Sequence, residues 1–528
     1  MEAKGKRPRR LAGLLVLVSA ACALAGGCSS TGHLKRELIE PQAGRLRHDL
    51  RHAPSGNKKF LKAHMLDGRV YVLSDWAIEE PGRIMRGTGV RYDAGRVGTL
   101  SGEQSVPLDS VAIFETNSVQ VSPSIATMTI LTVGSLVMSA ICVASPKTCF
   151  GSCPTFYVEG DPDSLLQAEG FSSSVAPSLE ATDLDALHRA RVSGPVVELR
   201  MMNEALETHI VRHADLLVAP RPAGGRVLAT RAGRLRATGP LLAPCRCVAP
   251  EGECTETLAA GDGRERTSRC DSTDLASKEI VELTFHPVPQ GELGLVIVAR
   301  QSLLTTFLFY QLLAYMGSQL GDYLARLECG RGGEDREIRA FGPRLGAIEA
   351  EILSPGRGWV SIGATGEAGP LATDRHALPW RNPGLDTLHV RLRLTRGAWR
   401  LDHVALTALG DEVIAERLRP RAVRGPGGPD AEALACLLDS TKVLVTSPGD
   451  VYHLRYERPG GFDGCELFLE SRGYYLEWMR EEWLAEEDPA KAIALLLAPD
   501  AALRTLAPAY ARIEASMDSL FWSSRYAR

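Results

Sequence analysis

The pattern of apolar and polar positions changes several times along the chain, and each change predicts a different kind of structure. Short runs of alternating apolar residues recur over residues 60–117, 148–301 and 335–470. Alternation with a period of two predicts half-buried β-strands, and the glycines, prolines and aspartates between the runs predict turns. Apolar residues spaced by three and four predict helices elsewhere. We therefore expect a mainly β protein with α segments, in the α+β class.

The β regions are expected to form three units in sequence. Residues 59–118 predict a small β-barrel or meander, in which Gly87 and Gly89 interrupt a strand. Residues 148–301 predict a β-sandwich domain, with 196–201 and 209–212 as a pair of strands. Residues 335–470 predict a second β-rich domain that looks like a jelly roll.

Helices are predicted between and after these β units. Residues 302–334 are expected to be an amphipathic helix and loop. Residues 471–528 are expected to be a helical tail, because 470–473 break the β pattern and Asp488-Pro489 is typical of a helix start. Pro508 is expected to begin the last helix. A tether, with a short helix near residues 34–38, is expected over residues 28–58.

Residues 119–147 form an apolar helix in this interpretation. No charged residue lies between Glu115 and Lys147, and residues 125–145 match the length of a membrane span. Threonine and serine side chains within the segment weaken insertion into hydrocarbon. We favour a helix that packs on protein or lies at a membrane surface, and a true span is the alternative.

The first 27 residues predict export followed by lipid attachment. A basic stretch ends at Arg10, an apolar run follows, and small residues lead to Cys28 in Leu24-Ala25-Gly26-Gly27-Cys28. This order is typical of a lipoprotein signal peptide, and Cys28 is the expected lipidation site. Cys22 is a weaker candidate, and a plain secretory signal is the competing interpretation. Ser29 favours the outer membrane over the inner.

Cysteines in an exported protein predict disulfides. Cys149 and Cys153 are close enough in sequence to form a small loop, and we expect them to be paired. A four-thiolate zinc site is a less favoured alternative for a second group, although its spacing lacks a C-x-x-C knuckle. That group consists of Cys245, Cys247, Cys254 and Cys270.

Three short motifs carry a resemblance to known proteins. Cys153-Pro154-x-x-Tyr157 follows the apolar segment, Glu169-Gly170-Phe171 comes next, and Asn203-Glu204-x-x-Glu207-Thr208 lies between two predicted strands. With these motifs the chain resembles a group of uncharacterised bacterial envelope lipoproteins that combine an apolar helix with a β-sandwich region. The resemblance implies location and architecture. Its motifs mark local structural features, and the resemblance assigns no catalytic residue to this chain.

Candidate binding residues are few, and each also has a structural explanation. His209, His213 and Asp215 would share one face of a strand and could bind a metal, but a solvated strand face is the commoner case. Trp359 and Trp399 flank alternating strands and could face a glycan. We prefer burial in a sandwich core for both tryptophans.

The remaining sequence features narrow the function. The 528 residues carry a net charge of −4, and no basic patch interleaved with aromatics indicates nucleic-acid binding. Neither a nucleophile elbow nor a phosphate-binding loop is present in the sequence. We expect no catalytic residue, metal or cofactor, and a membrane contact through the lipid anchor. The leading hypothesis is a non-enzymatic scaffold or interaction module with envelope proteins as partners, and a glycan-binding or glycan-processing protein is the alternative.

Overall fold

A computed structural model describes most of the chain. The described residues are 32–39, 61–65, 69–79, 83–92, 99–121, 154–159, 165–172, 174, 180–205, 207–230, 232–317, 345–365, 368–477 and 486–524. The expectations for the signal peptide, for residues 125–145 and for Cys28, Cys149 and Cys153 lie outside them. The described part is mainly β with α segments and a helical C-terminal segment, which confirms the predicted fold class.

A six-stranded antiparallel sheet forms the N-terminal unit. Its spatial strand order is β1-β6-β2-β3-β4-β5, and a 3-10 turn at Leu108–Ser110 joins its last two strands. Trp76 lies in its core. The strands are β1 Gly32–Ile39, β2 Leu61–Met65, β3 Val70–Glu79, β4 Ile84–Tyr92, β5 Thr99–Pro107 and β6 Val111–Val121.

Two local predictions for this unit are wrong. The helix expected near residues 34–38 is strand β1, which pairs with β6 along its whole length. Gly87 and Gly89 lie inside β4 and do not end it. A Cβ atom at these positions would lie 2.3 and 2.1 Å from carbonyl oxygens of β3, so the close approach of the two strands requires glycine.

The rest of the described chain contributes twenty-three strands and five helices. The first part contains β7 Thr155–Val158, β8 Leu166–Glu169, β9 Ala181–Ala186, β10 Val196–Met202 and β11 Glu207–Pro220. The middle part contains β12 Val227–Thr230, β13 Leu235–Thr238, β14 Arg246–Ala249, β15 Gly252–Glu253, α1 Thr255–Leu258, β16 Arg266–Thr267, β17 Lys278–Phe285, β18 Gly291–Gln301, α2 Leu304–Met316, β19 Glu349–Ser354, β20 Gly358–Ala364, β21 Asp374–Asn382, β22 Leu388–Thr395 and β23 Trp399–Glu412. The last part contains β24 Glu416–Leu418, β25 Ala422–Gly425, β26 Gly428–Pro429, α3 Ala431–Leu438, β27 Leu444–Thr446, β28 Val451–Glu457, β29 Cys465–Glu477, α4 Pro489–Leu497 and α5 Pro499–Ser524.

Strands from the first and last parts form one β-sandwich, which we call the outer sandwich. One sheet has the order β26-β25-β28-β10-β7-β8, and the other has the order β24-β11-β29-β9 with β27 paired to β11. Apolar side chains from both sheets share one core, which includes Phe156, Leu199, Leu216 and Leu469. The outer sandwich is therefore assembled from segments separated by about two hundred residues.

Residues 227–412 form a second unit inserted into the outer sandwich, which we call the inserted unit. β13, β12, β21, β18 and β23 close into a five-stranded barrel, with Val296 and Ala377 among the residues of a small core of its own. The order β15-β14-β17-β22-β19-β20 gives a separate sheet. The helices α2, α4 and α5 share the largest core among the described residues with this sheet and the outside of the barrel.

The observed sheets divide the chain at other points than the predicted boundaries at residues 301 and 335. The chain leaves the outer sandwich after Pro220 and returns to it at Glu416. The strands predicted at 196–201 and 209–212 exist, but β10 pairs with β7 and β28 whereas β11 pairs with β24, β27 and β29. Alternating apolar residues identify a strand without identifying the strand that it pairs with. The predicted boundaries and the predicted pair of strands differ from the observed sheets for this reason.

The helical tail begins later than predicted. β29 continues through residues 470–473 to Glu477, because the strand is paired on both sides there. Asp488 caps α4 as predicted, and its side chain accepts a hydrogen bond from the Lys491 amide. Pro508 lies inside α5 and does not begin a helix. Buried residues on both sides of it, including Leu503 and Tyr510, hold the helix together across the proline.

The helix predicted within residues 302–334 is confirmed over residues 304–316, as α2. It was expected to be amphipathic, but it is enclosed on most sides and has no exposed polar face. Leu304, Leu308, Leu312 and Leu313 are all buried. Among the described residues, no single helix has the length and apolar character of a membrane span; α4 and α5 meet that criterion only as a pair, bent by 119°.

We predict that Gly473→Ala destabilises the outer sandwich. A Cβ atom at residue 473 would lie 2.3 Å from the Ile210 carbonyl oxygen and 2.9 Å from the Phe171 ring. Forced overpacking of this kind costs about 1–3 kcal/mol of unfolding free energy, which urea denaturation followed by circular dichroism would measure. Gly427→Ala is the matched control, because a Cβ there meets no atom within 4 Å. Equal stability of the two variants would contradict the prediction.

Candidate functional site

The motif residues singled out in the sequence hold the outer sandwich together. Asn203 donates a hydrogen bond from its side-chain amide to the Glu207 carbonyl oxygen at 2.9 Å, which closes the turn before β11. The buried Glu204 carboxylate accepts hydrogen bonds from the hydroxyls of Thr155 (2.6 Å) and Tyr157 (2.9 Å) on β7. Hydrogen-bond partners of this kind are what a buried carboxylate needs. The contacts give these residues structural roles.

A β-bulge in β11 decides which of its side chains reach the surface. The pairing with β29 shifts by one residue between Val211 and His213, so His209 and His213 lie on opposite faces of the sheet. His209 is fully buried, and its Nε2 atom lies 2.9 Å from Glu207 Oε1. The prediction that His209, His213 and Asp215 share one face is therefore wrong.

His213 and Asp215 line a cleft of about 660 Å³ on the outer sandwich. β29 places Arg472 opposite His213 and Glu470 opposite Asp215. β24 pairs with the other edge of β11 and contributes Arg417. The rest of the lining comes from Glu180, Arg212, Arg419, Leu437, Leu438 and Ser440.

Arg417 bridges the two carboxylates beside His213. Its Nη1 atom lies 2.9 Å from Asp215 Oδ2 and also contacts Glu470 Oε1, and its Nη2 atom lies 2.9 Å from Glu470 Oε2. The hydrogen bonds from Arg417 lower the pKa of Glu470, so this carboxylate is ionised at neutral pH. The same contacts raise the pKa of Arg417 above its ordinary value.

Glu180 forms a second charged group in the cleft. Its Oε1 atom accepts hydrogen bonds from Arg472 Nε at 2.8 Å and from Arg212 Nε at 3.2 Å. Burial alone would raise the pKa of Glu180, but the hydrogen bonds from Arg472 and Arg212 outweigh burial and lower it. Glu180 and Asp215 in the cleft are thus both paired with arginines.

Two residues of the cleft, His213 and Asp215, form with the neighbouring Glu470 a group that could hold a metal ion. One ligand atom from each lies within 4.8 Å of the other two. Sequence reasoning included His213 and Asp215 but missed Glu470 and Arg417. No local signal marks these residues, because only the pairing of β29 and β24 with β11 brings them to the cleft.

The two tryptophans considered for glycan binding lie in different surroundings. Trp399 is 2% exposed in the core of the inserted unit, so none of its ring is open to a ligand. Trp359 is half-buried on the strand β20, at the edge of its sheet. The Arg391 guanidinium lies over the Trp359 ring, 4.6 Å from its centre, and covers part of it. Of the pair, only Trp359 keeps exposed surface.

One disulfide is present among the described cysteines. Cys247 on β14 bonds to Cys254, which precedes α1. The alternative of a zinc site using four thiolates is therefore overturned, because two of its four sulfur atoms are bonded to each other. Within the described ranges the free thiols belong to Cys245, Cys270, Cys436 and Cys465.

A second polar cluster lies where the outer sandwich meets the inserted unit. Glu169 at the end of β8 is 3% exposed, and its Oε2 atom accepts hydrogen bonds from the backbone amides of Leu371 (2.6 Å) and Ala372 (2.7 Å). Burial raises the pKa of Glu169 to about 7, despite these two hydrogen bonds. Glu169 therefore carries its proton over much of the acidic range and links the two units.

The charges of Asp183 and Asp185 interact with this carboxylate, and Asp374 interacts with both aspartates. Burial and the charge of Asp374 raise the pKa of Asp183, and burial and the charge of Asp183 raise the pKa of Asp185. Burial alone would also raise the pKa of Asp374, but His376, whose Nε2 lies 2.5 Å from Asp374 Oδ2, lowers it. None of these residues is among those that line the cleft, so the cluster and the cleft are distinct.

Comparisons of this chain with protein-family models, with curated proteins and with solved structures found no significant match.

We predict that Glu169→Gln flattens the pH dependence of stability. The folded protein keeps the Glu169 proton to about pH 7, whereas the unfolded chain loses it near 4.5. The free energy of unfolding should therefore fall as pH rises between these values, by on the order of 3 kcal/mol for this group. Urea denaturation at pH 5, 6, 7 and 8 measures the slope. Glu282→Gln, at an exposed position, is the control, and an unchanged slope in Glu169→Gln would refute the assignment.

Proposed function

We propose that this protein is a lipid-anchored component of the bacterial cell envelope that acts as a scaffold or interaction module and not as an enzyme. The observation that carries the proposal is the order of basic stretch, apolar run and small residues that ends at Cys28. Ser29 after the cysteine supports an outer-membrane location. The resemblance to uncharacterised envelope lipoproteins supports the same assignment.

The chemistry of the cleft supports an interaction role over catalysis. Glu180, Asp215 and Glu470 each bind at least one arginine, and hydrogen bonds lower the pKa of Glu180 and Glu470. A general acid needs a raised pKa, so these two carboxylates are poorly suited to proton transfer at neutral pH. Paired charges at a surface instead favour recognition of a partner with complementary charges.

Glycan binding is the second candidate function, and it would rest on Trp359. Its half-buried ring lies at a sheet edge, where an aromatic side chain could stack on a sugar. Arg391 already covers part of that ring, and Trp399 is buried. These contacts leave the interaction module as the better supported function.

We predict that Cys28→Ala abolishes membrane anchoring. The thiol of Cys28 is the acceptor of the lipid in this proposal, so the variant should stay unprocessed or become soluble. Incorporation of labelled palmitate and fractionation of membranes measure the outcome. Cys22→Ala is the matched control and should be lipidated normally. Palmitate incorporation that persists in Cys28→Ala and disappears in Cys22→Ala would reassign the anchor.

We expect a glycan array and a turnover screen on envelope polysaccharides to be negative for the wild-type protein. Specific sugar binding that Trp359→Ala removes would favour the glycan-binding function, because the indole is the surface that would stack on the sugar. Ile414→Ala is a control at an exposed apolar residue outside that edge. Turnover of any polysaccharide by the purified protein would exclude the non-enzymatic proposal.

A further inference from the structure

We propose that His213, Asp215 and Glu470 form a binding site for a divalent transition-metal ion of the Zn²⁺ class. Two of its three residues, His213 and Asp215, line the cleft of the outer sandwich, and Glu470 lies beside them. The site goes beyond the scaffold function because it names a ligand that this surface would hold. Three observations support this site. They are the spacing of the ligand atoms, a buried oxygen that has no hydrogen-bond donor, and a half-exposed arginine that occupies the position of a metal cation.

The spacing of the ligand atoms fits a small metal ion. His213 Nε2 lies 3.5 Å from Glu470 Oε1, and one atom from Asp215 lies within 4.8 Å of both. In a tetrahedral site with metal–ligand bonds of about 2.1 Å, neighbouring ligand atoms are about 3.4 Å apart. The observed histidine–glutamate distance therefore needs almost no adjustment.

A buried oxygen of Asp215 points to a missing partner. The Asp215 side chain is 5% exposed, and its Oδ2 atom is bound by Arg417. Among the residues that the structure describes, no donor reaches Asp215 Oδ1, and His213 Nε2 has only a long contact of 3.5 Å with Glu470 Oε1. Buried polar atoms normally have partners, and a metal ion bound between these two atoms would satisfy both.

The Arg417 guanidinium marks a position where positive charge is favoured. Its side chain is also exposed enough to move away from that position. Its Nη1 atom contacts carboxylate oxygens of both Asp215 and Glu470, so the two carboxylates converge on one cation. The Arg417 side chain is 45% exposed, whereas the Asp215 side chain is 5% and the Glu470 side chain 19% exposed. The guanidinium can therefore move into water while the carboxylates remain in place.

The ligand set selects the class of metal. One imidazole nitrogen and two carboxylate oxygens suit Zn²⁺ and its neighbours, whereas Ca²⁺ and Mg²⁺ prefer oxygen ligands alone and higher coordination numbers. Three protein ligands leave at least one position for water or for a group of a partner molecule. Metal binding also requires neutral histidine, so affinity should fall as the pH is lowered.

The test measures Zn²⁺ binding to the full chain, extracted in mild detergent and carrying no histidine tag, by equilibrium dialysis and isothermal titration calorimetry. The wild-type protein should bind one equivalent above background. His213→Ala and Glu470→Gln should each weaken that binding at least about tenfold. His389→Ala, which removes an exposed histidine of the inserted unit, should bind as the wild type does. Circular dichroism identifies any variant that fails to fold.

Arg417→Ala separates a metal site from a purely structural ion-pair network. If the guanidinium competes with the metal, Arg417→Ala should tighten Zn²⁺ binding several-fold. The substitution has this effect although it also removes the ion pairs of Arg417 with Asp215 and Glu470. Arg424→Ala is the matched control, because Arg424 pairs with Glu198 on the other sheet, and it should leave Zn²⁺ affinity unchanged. If Arg417→Ala does not tighten binding, the displacement part of the proposal is wrong.

Two outcomes would overturn the site itself. One is wild-type protein with no Zn²⁺ bound above background. The other is binding that folded His213→Ala and Glu470→Gln variants retain, which would place the metal on other histidines among the 12 in the chain.

Discussion

The pairing of β11 with β29 is the interaction on which the rest of the structure depends. It runs from Glu207 opposite Glu477 to Pro220 opposite Cys465, and it joins two segments that lie about 250 residues apart in the chain. One face of the pair supplies Leu216 and Leu469 to the sandwich core. The chain can carry the whole inserted unit between β11 and β29, because the entropy cost of closing a loop grows only slowly with the length of the loop.

The single bulge in this pairing determines the chemistry of the surface. Side chains alternate between the faces of a strand, so a shift of one residue exchanges the faces of everything beyond it. Without the bulge, His209 would share a face with His213; with it, His209 is buried against Glu207 and His213 opens into the cleft. The same shift places His213 opposite Arg472 and Asp215 opposite Glu470.

Charged residues also fill the junction of the outer sandwich and the inserted unit. Arg375 of the barrel lies 3.3 Å from Glu466 of β29, and both side chains are 5% exposed. Arg189 Nη2 lies 2.9 Å from Asp402, whose side chain is fully buried. Removing one partner of a buried pair leaves an uncompensated charge, at a cost of about 3–5 kcal/mol. These pairs therefore tie the inserted unit to its observed placement, because another placement would leave buried charges unpaired.

The sequence by itself determined the local features of this protein. It identified the mainly β content, the helix start at Asp488-Pro489 and the structural character of the motif residues, because periodicity, capping and turn chemistry depend on neighbours in the chain. Only the tertiary structure decided the partner of each strand, the insertion of residues 227–412, the bulge that divides His209 from His213, and the continuity of α5 through Pro508. Each of these depends on contacts between residues far apart in sequence, and no local pattern records which distant surface a strand or helix will meet.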